Sequence, residues 1–151
     1  MFRTVSHLGI RYRHSPLSVN GPGAPRRGPH AGDRLPDAPI LHNGAPSTVH
    51  AVLAAPGWHL LLCGPTTPLA GDLDPLQTRH RALAVQHLST HTGPGVLHDP
   101  DGKALHRLGV QPINVATWLI RPDRQIGYRA GTPDPDALTR YLDRWIPQLD
   151  R

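Results

Sequence analysis

The sequence contains no glutamate, one cysteine and one lysine. All eleven acidic residues are aspartate, and fifteen of the sixteen cationic residues are arginine. The absence of glutamate excludes chemistry built on that side chain, such as the general base of the helical zinc-protease motif. A single cysteine, Cys63, excludes an intramolecular disulfide and any metal site made of several thiolates.

Aromatic residues and long apolar runs are also scarce. Three Trp, three Tyr and one Phe in 151 residues predict a modest, largely aliphatic core, and the length suits one domain. No apolar run is long enough to span a bilayer, and the first residues lack the apolar segment of a signal peptide. We therefore expect a soluble, cytoplasmic protein that does not contact a membrane.

Most of the net positive charge lies in the first 38 residues, which hold six arginines and two aspartates. Residues 39–151 hold ten cations and nine aspartates and are nearly neutral. The first segment is rich in proline and glycine, and its one strand pattern is the alternation of Leu8, Ile10 and Tyr12. Because a lone strand is not stable in water, we predict a basic arm and linker over residues 1–38 and one folded domain over residues 39–151.

The basic arm is expected to dock on protein. A surface for single-stranded nucleic acid needs clustered cations interleaved with aromatic side chains on which the bases stack. Only Tyr12 stands among the arginines of the arm. We therefore expect no nucleic-acid partner.

Turn and cap signals from residue 39 onwards predict an α/β domain. Asp74-Pro75 and Asp134-Pro135 are typical helix starts, and the first of these helices is expected to run to Thr90. The apolar run 58–63 indicates a buried strand, and a Pro-Asp turn separates the last two strands. The predicted order is β-α-β-α-β-α-β-β-α, with a central mixed sheet and a terminal antiparallel hairpin, which is the element order of the thioredoxin-like fold.

Several stretches, in this order, resemble the C-terminal domain of the FAD-dependent aromatic-ring hydroxylases of the phenol hydroxylase and polyketide hydroxylase type. Leu8–Ser18 resembles the segment that leads out of the flavin portion, and the proline-broken Ala31–Ile40 resembles the linker that follows it. Gly57–Gly64 resembles a strand of that domain, and Leu119–Arg129 resembles its hairpin, with the Arg-Pro-Asp turn as the most specific feature. The resemblance implies a thioredoxin-like fold and no catalytic role for the chain alone.

In such hydroxylases the motifs that bind FAD lie upstream of this domain, and none of their positions occurs in this sequence. The resemblance therefore implies FAD and NAD(P)H for an associated hydroxylase and no cofactor bound by this chain alone. It implies a packing role, against a flavin-binding portion or chain, or against a second copy of the chain at a subunit interface. The expected interface residues come from the arm, the linker and the hairpin: Leu8, Ile10, Tyr12, Arg34, Asp37, Arg121, Asp123 and Tyr128.

The alternative function centres on Cys63. Cys63-Gly64-Pro65-Thr66 follows the predicted strand as the CGPC motif does in thioredoxins, but Thr66 stands in place of the second cysteine and excludes dithiol exchange. The next predicted helix begins near residue 75, too late for its N-terminus to lower the pKa of the thiol. We expect a buried structural thiol, and a free-standing thioredoxin-like protein with a redox or binding role at Cys63 is the alternative. A module that binds an apolar small molecule is a third hypothesis, for which the sequence offers no specific residues.

Histidines offer a second candidate constellation. His80, His87 and His91 would share one face of a helix that begins at residue 75 and ends at about residue 90, and the last two have the spacing of metal ligands on neighbouring turns. No carboxylate joins them on that helix, and the chain has eleven histidines, so we expect a polar stripe and no metal site. The sequence also lacks GxSxG, GxGxxG and GxxxxGK[ST]. No self-sufficient active site is predicted.

Overall fold

The computed structural model describes residues 18–65, 74–80, 83–93, 95–111, 114–131 and 134–145. Within these ranges the strands are β1 (Val19–Asn20), β2 (Pro39–His42), β3 (Ala45–Thr48), β4 (His59–Cys63), β5 (Ala84–Ser89), β6 (Val96–His98), β7 (Ala116–Ile120) and β8 (Ile126–Ala130). The helices are α1 (Val49–Val52), α2 (Asp74–Arg79), α3 (Lys103–Arg107) and α4 (Pro135–Trp145). The predicted strand over Leu8, Ile10 and Tyr12 lies outside the described residues.

The eight strands form one mixed sheet in the order β1-β8-β7-β4-β5-β6-β2-β3. Strand β4 lies at its centre, parallel to β5 and antiparallel to β7. All five residues of β4 are buried, which explains its continuous apolar sequence, because both faces of such a strand are covered. Strands β7 and β8 form the predicted antiparallel hairpin.

Alternate residues of β4 point to two separate hydrophobic clusters. Leu61 and Cys63 belong to a cluster that includes buried residues of α1 and α3, together with Trp118. Leu60 and Leu62 belong to a second cluster that includes buried residues of α2 and α4. Helices therefore cover both faces of the sheet, and each buried leucine contributes about 1.5–3 kcal/mol.

The helix predicted from residue 75 to Thr90 is wrong in its second half. It begins at Asp74 as predicted but ends at Arg79, and Ala84–Ser89 forms strand β5. Strand β5 pairs with β4 over the whole length of β4, from His59 opposite Ala84 to Cys63 opposite Leu88. Without β5, the buried edge of β4 would leave its backbone groups without hydrogen-bond partners, which costs more than the helical preference of this short segment.

The described part of the predicted arm packs on the domain. Strand β1 runs parallel to β8, and the amide of Gly32 donates to the carbonyl oxygen of Ile126 at 2.6 Å. The amide of Leu35 donates to the carbonyl oxygen of Arg124 at 2.9 Å, and the Leu35 side chain is fully buried. This segment covers the edge of β8, which would otherwise present unpaired backbone groups. The domain boundary at residue 38 stays a prediction.

The longest helix among the described residues is α4. No helix in that part of the chain combines the length and the apolar character needed to cross a bilayer.

Candidate functional site

Cys63 lies at the carboxyl end of β4, where the amide of the next residue, Gly64, donates to the carbonyl oxygen of Leu88 at 3.2 Å. Its side chain is 1% exposed. Burial, together with the charge of Asp99, raises the pKa of the Cys63 thiol far above its ordinary value. The thiol is therefore protonated at neutral pH, and only the thiolate is an effective nucleophile.

We expect native Cys63 to react with a chromogenic aromatic disulfide at least about a hundredfold more slowly than the same residue in urea-unfolded protein. Both the protonated state and the closed packing oppose attack in the native protein. The absorbance of the released thiolate measures the rate, and the unfolded protein is its own control. Similar rates in the two states would show an accessible, activated thiol.

His87 does not form a pair with Cys63. It stands opposite Leu62 in the β4–β5 register, so its side chain lies on the other face of the sheet from Cys63. Its Nε2 lies 3.0 Å from the carbonyl oxygen of Gly64, and its Nδ1 has no hydrogen-bond partner among the described residues. Burial lowers the pKa of His87, which favours the neutral imidazole with its proton on Nε2.

His80 belongs to a contact between two helices. Its Nε2 lies 3.0 Å from Oδ1 of Asp143 on α4, and the same oxygen accepts a hydrogen bond of 2.7 Å from Arg79. The Arg79 hydrogen bond holds the pKa of Asp143 below its ordinary value. With His80 after α2 and His87 in a strand, the predicted helical stripe does not exist, and no group of three metal-ligating side chains gathers in the described part of the chain.

Three of the predicted interface residues gather at the β7–β8 turn. Arg34 is exposed, and its backbone forms an isolated antiparallel β-bridge with the backbone of Gln125. Nη2 of Arg121 lies 2.9 Å from Oδ2 of Asp123, while the other oxygen of that carboxylate accepts the Gln125 amide at 3.0 Å. Asp123 thus fixes the turn between the two strands, as short polar side chains commonly do.

The other two predicted interface residues that the structure describes, Asp37 and Tyr128, contact residues of the domain itself. Asp37 accepts the backbone amides of Ala38 and His50, each at 2.9 Å, and so fixes the start of α1 to the linker. Tyr128 is 3% exposed, and its ring lies 5.9 Å from that of Tyr141. Leu8, Ile10 and Tyr12 lie outside the described residues.

Arg129 on β8 is buried, with 4% of its surface exposed, and was not found by sequence reasoning. Its Nε donates to Oδ1 of Asn20 at 2.6 Å, its Nη1 to the carbonyl oxygen of Pro29 at 2.8 Å, and its Nη2 to Nδ1 of His30 at 2.9 Å. One guanidinium therefore fastens the start and the end of the segment that runs from residue 20 to residue 30. No local sequence signal marks this residue, because its acceptors lie about a hundred positions away along the chain.

A model of the family described as aromatic-ring hydroxylase, C-terminal, matches residues 28–148. The chain belongs to this family. No curated protein sequence matches this hydroxylase C-terminal domain. The match covers the hairpin, the central strands and the whole of the linker-like stretch Ala31–Ile40.

Solved structures agree with this assignment at the level of the fold. The flavin-dependent monooxygenase PieE, in complex with FAD and substrate, is similar with a TM-score of 0.65 and 23% identity over 91% of this chain and 25% of that chain. Aklavinone-11 hydroxylase, in a ternary complex with FAD and aklavinone, is similar with a TM-score of 0.65 and 23% identity, over 95% of this chain and 27% of the hydroxylase chain. The hydroxylase C-terminal domain described here thus spans about a quarter of the length of those chains.

A match to a peroxidoxin confirms the thioredoxin-like class. BcpB from Mycobacterium tuberculosis has a TM-score of 0.60 at 17% identity, with 76% of this chain and 97% of the peroxidoxin covered. At such identity the likeness concerns the fold alone. The predicted mixed sheet with a terminal hairpin is confirmed. The strands β1, β3 and β5 are additional to the predicted element order.

Gly28 and Gly131 of this hydroxylase C-terminal domain do not form a cradle for a flavin. A Cβ on Gly28 would overlap the carbonyl group of Leu108, and one on Gly131 would lie 2.7 Å from the carbonyl oxygen of Gly23. Glycine loops that bind dinucleotides leave that space to the phosphates. Here protein backbone fills it, so these residues do not fit FAD.

Proposed function

We propose that this chain is a non-catalytic accessory domain of an FAD-dependent aromatic-ring monooxygenase. The observation that carries the proposal is the family match over residues 28–148, in a chain that spans about a quarter of two flavin-dependent hydroxylases. The domain packs on the flavin portion or at a subunit interface. FAD and NAD(P)H serve the associated hydroxylase portion.

The chemistry of the described residues supports a role without catalysis. Cys63 is buried with a raised pKa, and His87 lies on the opposite face of the sheet and cannot act as its base. The closely packed Gly28 and Gly131 leave no room for phosphate groups. For these reasons we favour the accessory role over a free-standing redox protein centred on Cys63.

Two of the predicted interface residues are accessible for contact with another protein surface. Arg34 and Asp123 are exposed at the β7–β8 turn. Asp37 and Tyr128 serve the domain itself, through the start of α1 and the core. Contacts through Leu8, Ile10 and Tyr12 stay predictions from the sequence.

The test is isolation of the tagged protein from its host under mild conditions, followed by mass analysis and visible absorption. We expect flavin absorption, either from a longer polypeptide that includes the flavin portion or from a second, flavin-bearing chain. A colourless species with one chain type and the mass of this chain would overturn the proposal.

The Cys63→Ala variant separates the accessory role from the redox alternative in the same experiment. Alanine removes the thiol and, unlike serine, buries no hydroxyl group that needs a partner. The accessory role predicts unchanged flavin content and unchanged hydroxylation of the aromatic substrate. A redox role of Cys63 predicts that activity is lost while the complex still forms.

A further inference from the structure

Two adjoining clefts lie beside α3 and share Val110 and Gln111 in their walls. One, of about 590 Å³, is lined by Arg26 and Arg27 from the linker. The other, of about 540 Å³, is lined by the three basic side chains of α3, namely Lys103, His106 and Arg107. We call the two together the cationic groove.

The charge of the cationic groove is strongly unbalanced. Four permanently charged cations line it, and Asp101 is the one carboxylate among the lining residues that the structure describes. All five basic side chains are exposed. By contrast, residues 39–151 as a whole are nearly neutral in the sequence. The groove therefore concentrates positive charge that the rest of the domain lacks.

The linker holds its two arginines in a fixed place. Oδ1 of Asn20 accepts both the Ala31 amide at 3.1 Å and Nε of Arg129 at 2.6 Å, which closes the base of a loop over residues 21–30. Near the C-terminal end of the loop, the backbone of Gly28 packs directly on that of Gly109, just after α3. Arg26 and Arg27 are thus presented on an anchored loop, and little backbone entropy is lost when they bind.

The chemistry of the groove fits an acidic segment of a polypeptide. Arginine binds carboxylates through two parallel hydrogen bonds, and opposite charges steer association. Small-molecule sites enclose most of their ligand in a largely apolar wall, whereas this groove is open and most of its lining side chains are charged or polar. Single-stranded nucleic acid would need stacking aromatics, and the described aromatic side chains do not line the groove.

We propose that the cationic groove is the docking site for an acidic, aspartate- or glutamate-rich segment of the flavin-binding hydroxylase portion. The identity of the partner rests on the proposed function, and the acidic chemistry of the ligand rests on the groove itself. An extended segment that crosses Val110 and Gln111 contacts both sets of cations. The loop over residues 21–30 then forms one wall of the domain interface.

The first experiment measures binding of the full chain to a short oligoglutamate peptide by titration calorimetry at low and moderate salt. We expect binding that weakens as salt rises and that is about tenfold weaker, or more, in the Arg26→Glu/Arg27→Glu variant. The control is Arg140→Glu/Arg144→Glu, which makes the same charge change at two exposed residues of α4, on the other side of the sheet. Equal weakening in both variants would overturn a specific groove.

The second experiment repeats the binding measurement with the flavin-bearing chain or portion obtained from the host. Unchanged complex formation by the Arg26→Glu/Arg27→Glu variant overturns the groove as the docking site and leaves the proposed function standing. No complex with the native chain, together with peptide binding that depends on the groove, overturns the proposed function and the partner but not the acidic ligand. Tighter binding of a single-stranded oligonucleotide than of the peptide overturns the acidic segment as the ligand.

Discussion

Replacing Arg129 with methionine is expected to lower the free energy of unfolding by about 3 kcal/mol or more. Methionine fills the space of the apolar stem but donates no hydrogen bonds. Oδ1 of Asn20 and the carbonyl oxygen of Pro29 then lose charged donors at 2.6 and 2.8 Å in a partly buried site. Urea denaturation of the variant and the native chain measures the difference. The comparison requires that the free energy of unfolding falls with urea concentration at the same slope in both proteins.

Arg140→Met is the matched control, because Arg140 is exposed on α4 and its loss is expected to change stability by no more than about 0.5 kcal/mol. Trypsin supplies a second readout, since Arg26 and Arg27 lie on the loop that Arg129 fastens. Cleavage after these arginines should be much faster in Arg129→Met than in Arg140→Met. Equal stability and equal cleavage in the two variants would mean that the bonds of Arg129 only offset the cost of burying its charge.

The elements predicted correctly from the sequence are those whose signals are local. The run of apolar residues in β4 and the Pro-Asp turn between β7 and β8 identify their strands without knowledge of their neighbours. The Asp-Pro pairs mark the starts of α2 and α4 within a residue. The family resemblance adds the fold class, because the order of these elements is a property of the whole domain.

The strand β5 could not be predicted in the same way. Its sequence, AVQHLS, fits an amphipathic helix as well as a strand, and the preceding Asp74-Pro75 start favours the helix. Tertiary structure decides between helix and strand, because β4 is buried on both faces and needs a hydrogen-bonded neighbour on each side. The false histidine stripe over His80, His87 and His91 followed directly from that one error.

The anchored loop over residues 21–30 could not be predicted, for a related physical reason. Proline, glycine and arginine predict an irregular basic arm that docks on protein, and nothing near Arg26 or Arg27 indicates what they contact. The contacts that order it come from Arg129, 109 positions after Asn20. A buried cation with distant acceptors leaves no periodic pattern, so neither the anchored loop nor the cationic groove could be found before the fold was known.

Replacing Gly109 with alanine is expected to lower the free energy of unfolding by about 3 kcal/mol. Gly109 has φ +76, the left-handed conformation that ends α3, and a side chain there costs about 1 kcal/mol. In addition, the new Cβ would overlap the carbonyl group of Arg27, so the loop over residues 21–30 must move away from α3. Urea denaturation of the variant measures the total loss.

Gly44→Ala separates the two causes, because Gly44 has nearly the same φ, +81, but no atom within 4 Å of an added Cβ. It should cost only about 1 kcal/mol, and equal losses at Gly44 and Gly109 would contradict the packing of the loop on α3. The Gly109→Ala/Arg129→Met double variant tests whether both residues hold the same loop. The double variant should lose less free energy of unfolding than the sum of the two single losses, because either substitution alone already frees the loop. A fully additive result would mean that Arg129 and Gly109 stabilise the domain independently.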